Sequence, residues 1–132
     1  MTMANWVMVD EVPSKYDRPD ESTKLVGTWI VDWNEGFAPL GGSDRIRMCL
    51  QRYAPGGGHL PHEHDDMEQV FLIVSGKGRM HLGDEEFDTS PGMVVHIPIN
   101  THHWIDNIGD TELGYYIFNA RVVDPKPSSE PH

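Results

Sequence analysis

Cysteine is nearly absent from this sequence: Cys49 stands alone in 132 residues, so no disulfide can close within the chain. A fold without covalent cross-links suits a reducing compartment, and a cytoplasmic location is expected. Flanked by Met48 and Leu50, Cys49 reads as a buried structural thiol and not as a nucleophile. Cations are scarce as well. Ten Lys and Arg face 21 Asp and Glu, a net charge of −11. Such a chain lacks the clustered positive charge that nucleic acid or an anionic membrane requires, whereas a negative surface keeps a protein soluble. No apolar run approaches the roughly 20 residues that cross a bilayer. Met1 to Asp10 has no basic segment leading into an apolar one, so no signal peptide is expected. Helical periodicity and internal repeats are also missing.

What remains is a ladder of short alternating segments. The pattern predicts strands at Leu25–Trp33, Arg45–Tyr53, Gln69–Val74, Arg79–Leu82, Glu86–Thr89, Met93–Ile97, His103–Asn107 and Glu112–Ala120. Turn residues separate them at intervals of about 8–12 residues, the mark of an all-β sandwich or barrel. A chain of this length supports one core. The sandwich or barrel is therefore assigned to residues 25–123, preceded by a partly irregular arm (1–24) and followed by a disordered proline-rich tail (124–132). Trp33–Asp44, rich in Gly and Pro, reads as a long loop, either a lid or passive linkage.

Chemistry concentrates in the histidines. In His62-Glu63-His64 two imidazoles leave the same face of an extended segment and can converge on one point, while Glu63 points outward. Gln69 opens the following strand and can return to the same level, and His103 arrives from a distant one. Imidazole suits manganese, iron, nickel, zinc and copper alike, so one divalent transition metal is expected without its identity.

The spacing of these residues resembles the cupin superfamily. Its first motif is met by Gly56, five residues, His62-Glu63-His64, four residues, Gln69, six residues and Gly76. The second is met by Gly92, five residues, Pro98-Ile99-Asn100, two residues, His103, three residues and Asn107. Two positions depart from the pattern. Asn100 stands for a glycine, a mild change because Asn tolerates the left-handed conformation. Gln69 stands for a glutamate, and Glu68 is its neighbour. Only one of the two can face inward, and the distance to Gly76 favours Gln69.

The resemblance implies a jelly-roll barrel (a double-stranded β-helix) with His62, His64, Gln69 and His103 as metal ligands. A carboxamide in place of a carboxylate would leave a divalent ion its full +2 charge, which favours Lewis-acid chemistry. Cupins similar in ligand set include sugar-acid-processing proteins and hydroxynitrile lyases, and the wider scaffold hosts polyketide cyclases and dioxygenases. The expected function is thus an isomerase, cyclase or lyase acting on a small oxygen-rich molecule. A dioxygenase and a non-catalytic ligand-binding cupin are the alternatives.

Phe71, Ile73 and Ile105 should line the interior. For proton transfer the candidates are His59, His81, His96, Tyr115 and Tyr116; His102, beside a ligand, should face away. His96 reads as an outer-face residue, His81 could face either side, and His59 could reach the cavity mouth. Arg45 and Arg47, opposite Ile46 and Met48, read as exposed or subunit-contact residues, with substrate anchoring as the alternative. For the apolar segment Trp6–Val9 the cupin resemblance implies a strand added to a neighbouring subunit's sheet, hence a homodimer.

Overall fold

The structure is a computed structural model, and it describes residues 5–14, 25–33 and 38–122. The remainder of the arm, the centre of the Trp33–Asp44 loop and the tail lie outside the described residues. Among the described residues there is no α-helix, only a short 3-10 turn at Val9–Glu11. No helix among the described residues is long and apolar enough to cross a membrane.

The described residues form nine strands: β1 (Leu25–Trp33), β2 (Gly42–Ser43), β3 (Ile46–Tyr53), β4 (Met67–Ser75), β5 (Gly78–Leu82), β6 (Glu85–Thr89), β7 (Val94–Ile97), β8 (His103–Asn107) and β9 (Leu113–Arg121). They form a six-stranded sheet in the order β2-β1-β3-β9-β4-β7 and a three-stranded sheet in the order β6-β5-β8. All pairings are antiparallel except β1 with β2. One core joins both sheets. Trp29, Cys49, Phe71, Ile73, Val95, Ile97, Tyr115 and Ile117 from the larger meet Met80 and Ile105 from the smaller. This is the jelly-roll architecture, and it follows from the period-two alternation that turns every second side chain inward.

The turns hold the register. Gly76 adopts φ +76°, and a Cβ there would collide with the Glu112 carbonyl oxygen, so glycine is required twice over. Asn100 adopts the left-handed conformation with φ 58°. Asn107 ties the end of β8 to its surroundings: Nδ2 donates to the carbonyls of Tyr53 and Thr111, and Oδ1 accepts from Gly109 N–H.

Strand β3 corrects an expectation. Its alternation is as predicted, but the face containing Arg47, Cys49, Gln51 and Tyr53 is the buried one, and Ile46 is 56% exposed. Arg47 is therefore not a surface residue. Its guanidinium lies over the rings of Trp29 and Trp33, at 5.1 and 4.5 Å from their centroids. Those rings accept a cation that would otherwise be costly to bury. Arg45 is exposed.

Candidate metal centre

The first two histidines sit where the chain crosses the open edge of the smaller sheet. The segment after β3 runs antiparallel to β8, touching it at Gly58–Asp106 and at His62–His103. The segment through His62 and His64 was expected to be extended, and its pairing here is an isolated bridge at His62. His62 and His103 exchange both backbone hydrogen bonds, at 3.1 and 2.8 Å. Pro61 has no N–H with which to extend the ladder. The next anchor is Asn100 N–H, which donates to the His64 carbonyl at 2.6 Å.

The pairing brings His62, His64 and His103 together, with one potential ligand atom from each lying within 4.8 Å of the others. Two nitrogens on one ion stand at most about 4.2 Å apart, twice a metal–nitrogen bond of roughly 2.1 Å. Side-chain shifts below about 1 Å therefore close the set on an ion. His62 Nδ1 donates to the Leu60 carbonyl and His103 Nδ1 to the Thr101 carbonyl, each at 2.8 Å. A carbonyl only accepts, so each Nδ1 carries the proton and Nε2 keeps its lone pair.

His103 Nε2 is buried and has no hydrogen-bond partner, a cost that an ion would remove. Burial, reinforced by His62 and His102 and opposed by the Thr101 carbonyl, lowers the His103 pKa from 6.5 to about 4. Its ring is neutral at pH 7, the state that binds metal. The donor set thus fits a divalent transition ion, with Phe71 forming an apolar wall 6.4 Å from the His103 ring.

Alternation on β4 separates the two candidates for a fourth ligand. Glu68 is on the outer face, where its Oε1 meets His96 Nε2 at 2.8 Å. Gln69 is buried on the inner face with Phe71 and Ile73. The proton-transfer candidates also separate. His59 alone stands beside the cluster, its ring 4.2 Å from that of His62. His81 is on the outer face, stacked on Trp104 at 4.0 Å and 3.6 Å from Asp106. His96 is exposed and Tyr116 faces outward near Phe118, at a ring separation of 6.4 Å. His102 is exposed beside Glu63, 3.6 Å away.

Tyr115 is fully buried, with its hydroxyl 3.1 Å from Gln51 Oε1 and 3.4 Å from the Tyr53 hydroxyl. Burial, with Tyr53 beside it, raises its pKa well above the usual tyrosine value, so it stays protonated and cannot serve as a base. Sequence reasoning missed the Gln51–Tyr53–Tyr115 cluster and Asn119, which contacts Gln69. Polar residues on an alternating strand are ordinarily assigned to solvent.

The cupin-domain family profile matches residues 49–118, more than half of the chain. The chain belongs to the cupin family. Among curated proteins, this cupin is 30% identical over 91 residues to Auxin-binding protein 1 of Arabidopsis thaliana, covering 62% of this chain and 46% of that one. It is 31% identical over 81 residues to the polyketide synthase CurC of Streptomyces cyaneus, covering 61% and 52% respectively. The chain therefore spans about half the length of these curated relatives. Among solved structures, the polyketide cyclase RemF from Streptomyces resistomycificus superposes with a TM-score of 0.73 at 18% identity. That match covers 98% of this chain and 90% of that one, a likeness of fold.

Proposed function

We propose that this cupin is a metal-dependent enzyme in which His62, His64 and His103 hold one divalent transition metal. The substrate is a small oxygen-rich organic molecule, and the reaction is of the isomerase, cyclase or lyase type. The observation that carries this reading is the convergence of three imidazoles, two of them with Nδ1 tied to backbone carbonyls. A metal held there supplies a Lewis acid for a carbonyl, hydroxyl or carboxylate oxygen. Phe71 gives the site an apolar neighbour beside His103. His59 is the group placed to move a proton at its rim: Nδ1 donates to the Leu60 carbonyl at 3.0 Å, which makes Nε2 the basic atom. The similarity to proteins named as a polyketide synthase and a polyketide cyclase supports chemistry on oxygenated carbon skeletons.

The test is elemental analysis of protein purified without added metal. About one transition metal per chain is expected in the wild type, falling at least tenfold in His62→Ala. Metal-free wild type that resists loading would overturn the reading. Turnover that stops under strict anaerobiosis would indicate the dioxygenase alternative.

A second reading, ligand binding without turnover, is favoured by the similarity to auxin-binding proteins. Recovering a bound small molecule chemically unchanged after prolonged incubation with the metal-loaded protein would support it.

A further inference from the structure

Behind Gln69 lies a buried chain of polar groups that metal binding by three histidines does not require. Arg47 is 2% exposed, and its Nη1 lies 3.9 Å from Asp32. Its Nε and Nη2 stand 3.0 and 3.1 Å from one amide atom of Asn119. The other amide atom of Asn119 is 2.7 Å from an amide atom of Gln69. The remaining amide atom of Gln69 is buried with no hydrogen-bond partner.

Partners decide which atom of each amide is oxygen and which is nitrogen. A guanidinium offers donors only, so Asn119 turns its oxygen to Arg47. Its NH2 then faces Gln69, which must present Oε1 to receive it. The unpartnered Gln69 atom is therefore the NH2. The reverse arrangement would press an NH2 against a permanent cation at 3.0 Å. Only an ion on the far-side Gln69 oxygen could offset this, and loss of zinc in Gln69→Leu would reveal it.

Gln69 is also placed at the level of the histidines. It shares the inner face of β4 with Phe71, whose ring adjoins His103, and it pairs with Ile97. The turn after Ile97 ends at Asn100, which is bonded to the His64 backbone.

We propose that Gln69 serves this site as a hydrogen-bond donor to an anionic ligand oxygen and not as a fourth metal ligand. Asn119 and Arg47 are positioning residues that fix which end of its amide faces inward. The inference rests on the metal reading above and narrows its substrate class. A carboxylate, enolate or alkoxide oxygen suits a site presenting a cation and an N–H, whereas a ligand offering its own N–H meets a donor.

Zinc titration calorimetry on wild type and Gln69→Leu, with thermal melts of the metal-free proteins as a folding check, provides the first test. A folded Gln69→Leu should keep zinc affinity within about tenfold of wild type, because its three imidazoles are untouched. A larger loss overturns the proposal. The second test needs no variant: acetate added to zinc-loaded wild type should move one Gln69 side-chain amide proton downfield in the nitrogen-correlated spectrum. An unmoved resonance overturns it.

Asn119→Asp tests the positioning. A carboxylate would accept from both Arg47 and Gln69, reversing the Gln69 amide and turning its oxygen to the ion. Zinc affinity should rise by about tenfold or more in Asn119→Asp, and the part of the rise due to Gln69 should vanish in the double variant with Gln69→Leu. A rise that is the same with leucine at position 69 overturns the relay. Wild type that binds no zinc would instead defeat the metal reading itself, an outcome distinct from the loss of zinc in Gln69→Leu alone.

Discussion

In an unfolded chain His103 takes up a proton near pH 6.5, whereas in the folded protein it does so only near pH 4. Between those values the unfolded state binds more protons, so stability increases with pH across that window. The contribution is fully present above about 6.5 and is lost as the pH falls toward 4. The gap corresponds to on the order of 3 kcal/mol. Urea denaturation of the metal-free protein from pH 7 to pH 4 should show a decline of that order, and His103→Gln should remove its share of the slope. An identical slope in the variant would refute the assignment. At this scale the sequence was legible where chemistry and spacing coincide, as in the three histidines. Arg47 was not legible, because nothing in the local pattern reveals that Trp29 and Trp33 cover a cation from another strand.

The elements were read more completely than the residues, since period-two alternation survives in β3 and β4 and turn residues mark the ends. β2 escaped notice: Gly42–Ser43 is too short to alternate and is held by parallel pairing to Asp32 and Trp33. Which face of β3 is buried also escaped, because Met48 and Leu50 look more like core than Gln51 and Arg47 do. The turns allow a direct comparison. Gly76 and Gly92 both have positive φ, 76° and 94°, but only Gly76 has backbone where a Cβ would go. Gly92→Ala should cost about 1–2 kcal/mol for the left-handed conformation alone. Gly76→Ala should cost measurably more, because the Glu112 carbonyl must move as well. Thermal midpoints of the two variants would order them, and equal losses would contradict the packing argument.

At the scale of the whole molecule, the outer surface of the larger sheet carries several exposed apolar side chains. Ile46, Val74, Val94 and Phe118 are all exposed, Val94 at 62% and Phe118 at 40%. Trp6 and Met8, in the segment read as a subunit contact, are exposed too. The homodimer expected from the sequence is a proposal that this surface supports. Sedimentation equilibrium should give twice the chain mass for wild type and a shift toward monomer for Phe118→Glu. A monomeric wild type would dismiss it.

The solitary Cys49 leaves this chain without a covalent staple. The bridge between His62 and His103 places two ligands far apart in sequence at one point, with His64 beside them. An ion held there, as proposed, would fasten the open edge of the barrel as a reversible clasp, closing a long loop that the unfolded chain leaves open. Resistance to heat and protease would then become a function of free metal concentration, growing with the logarithm of its ratio to Kd. A cell that rations the ion would thereby set how long each copy of the protein lasts.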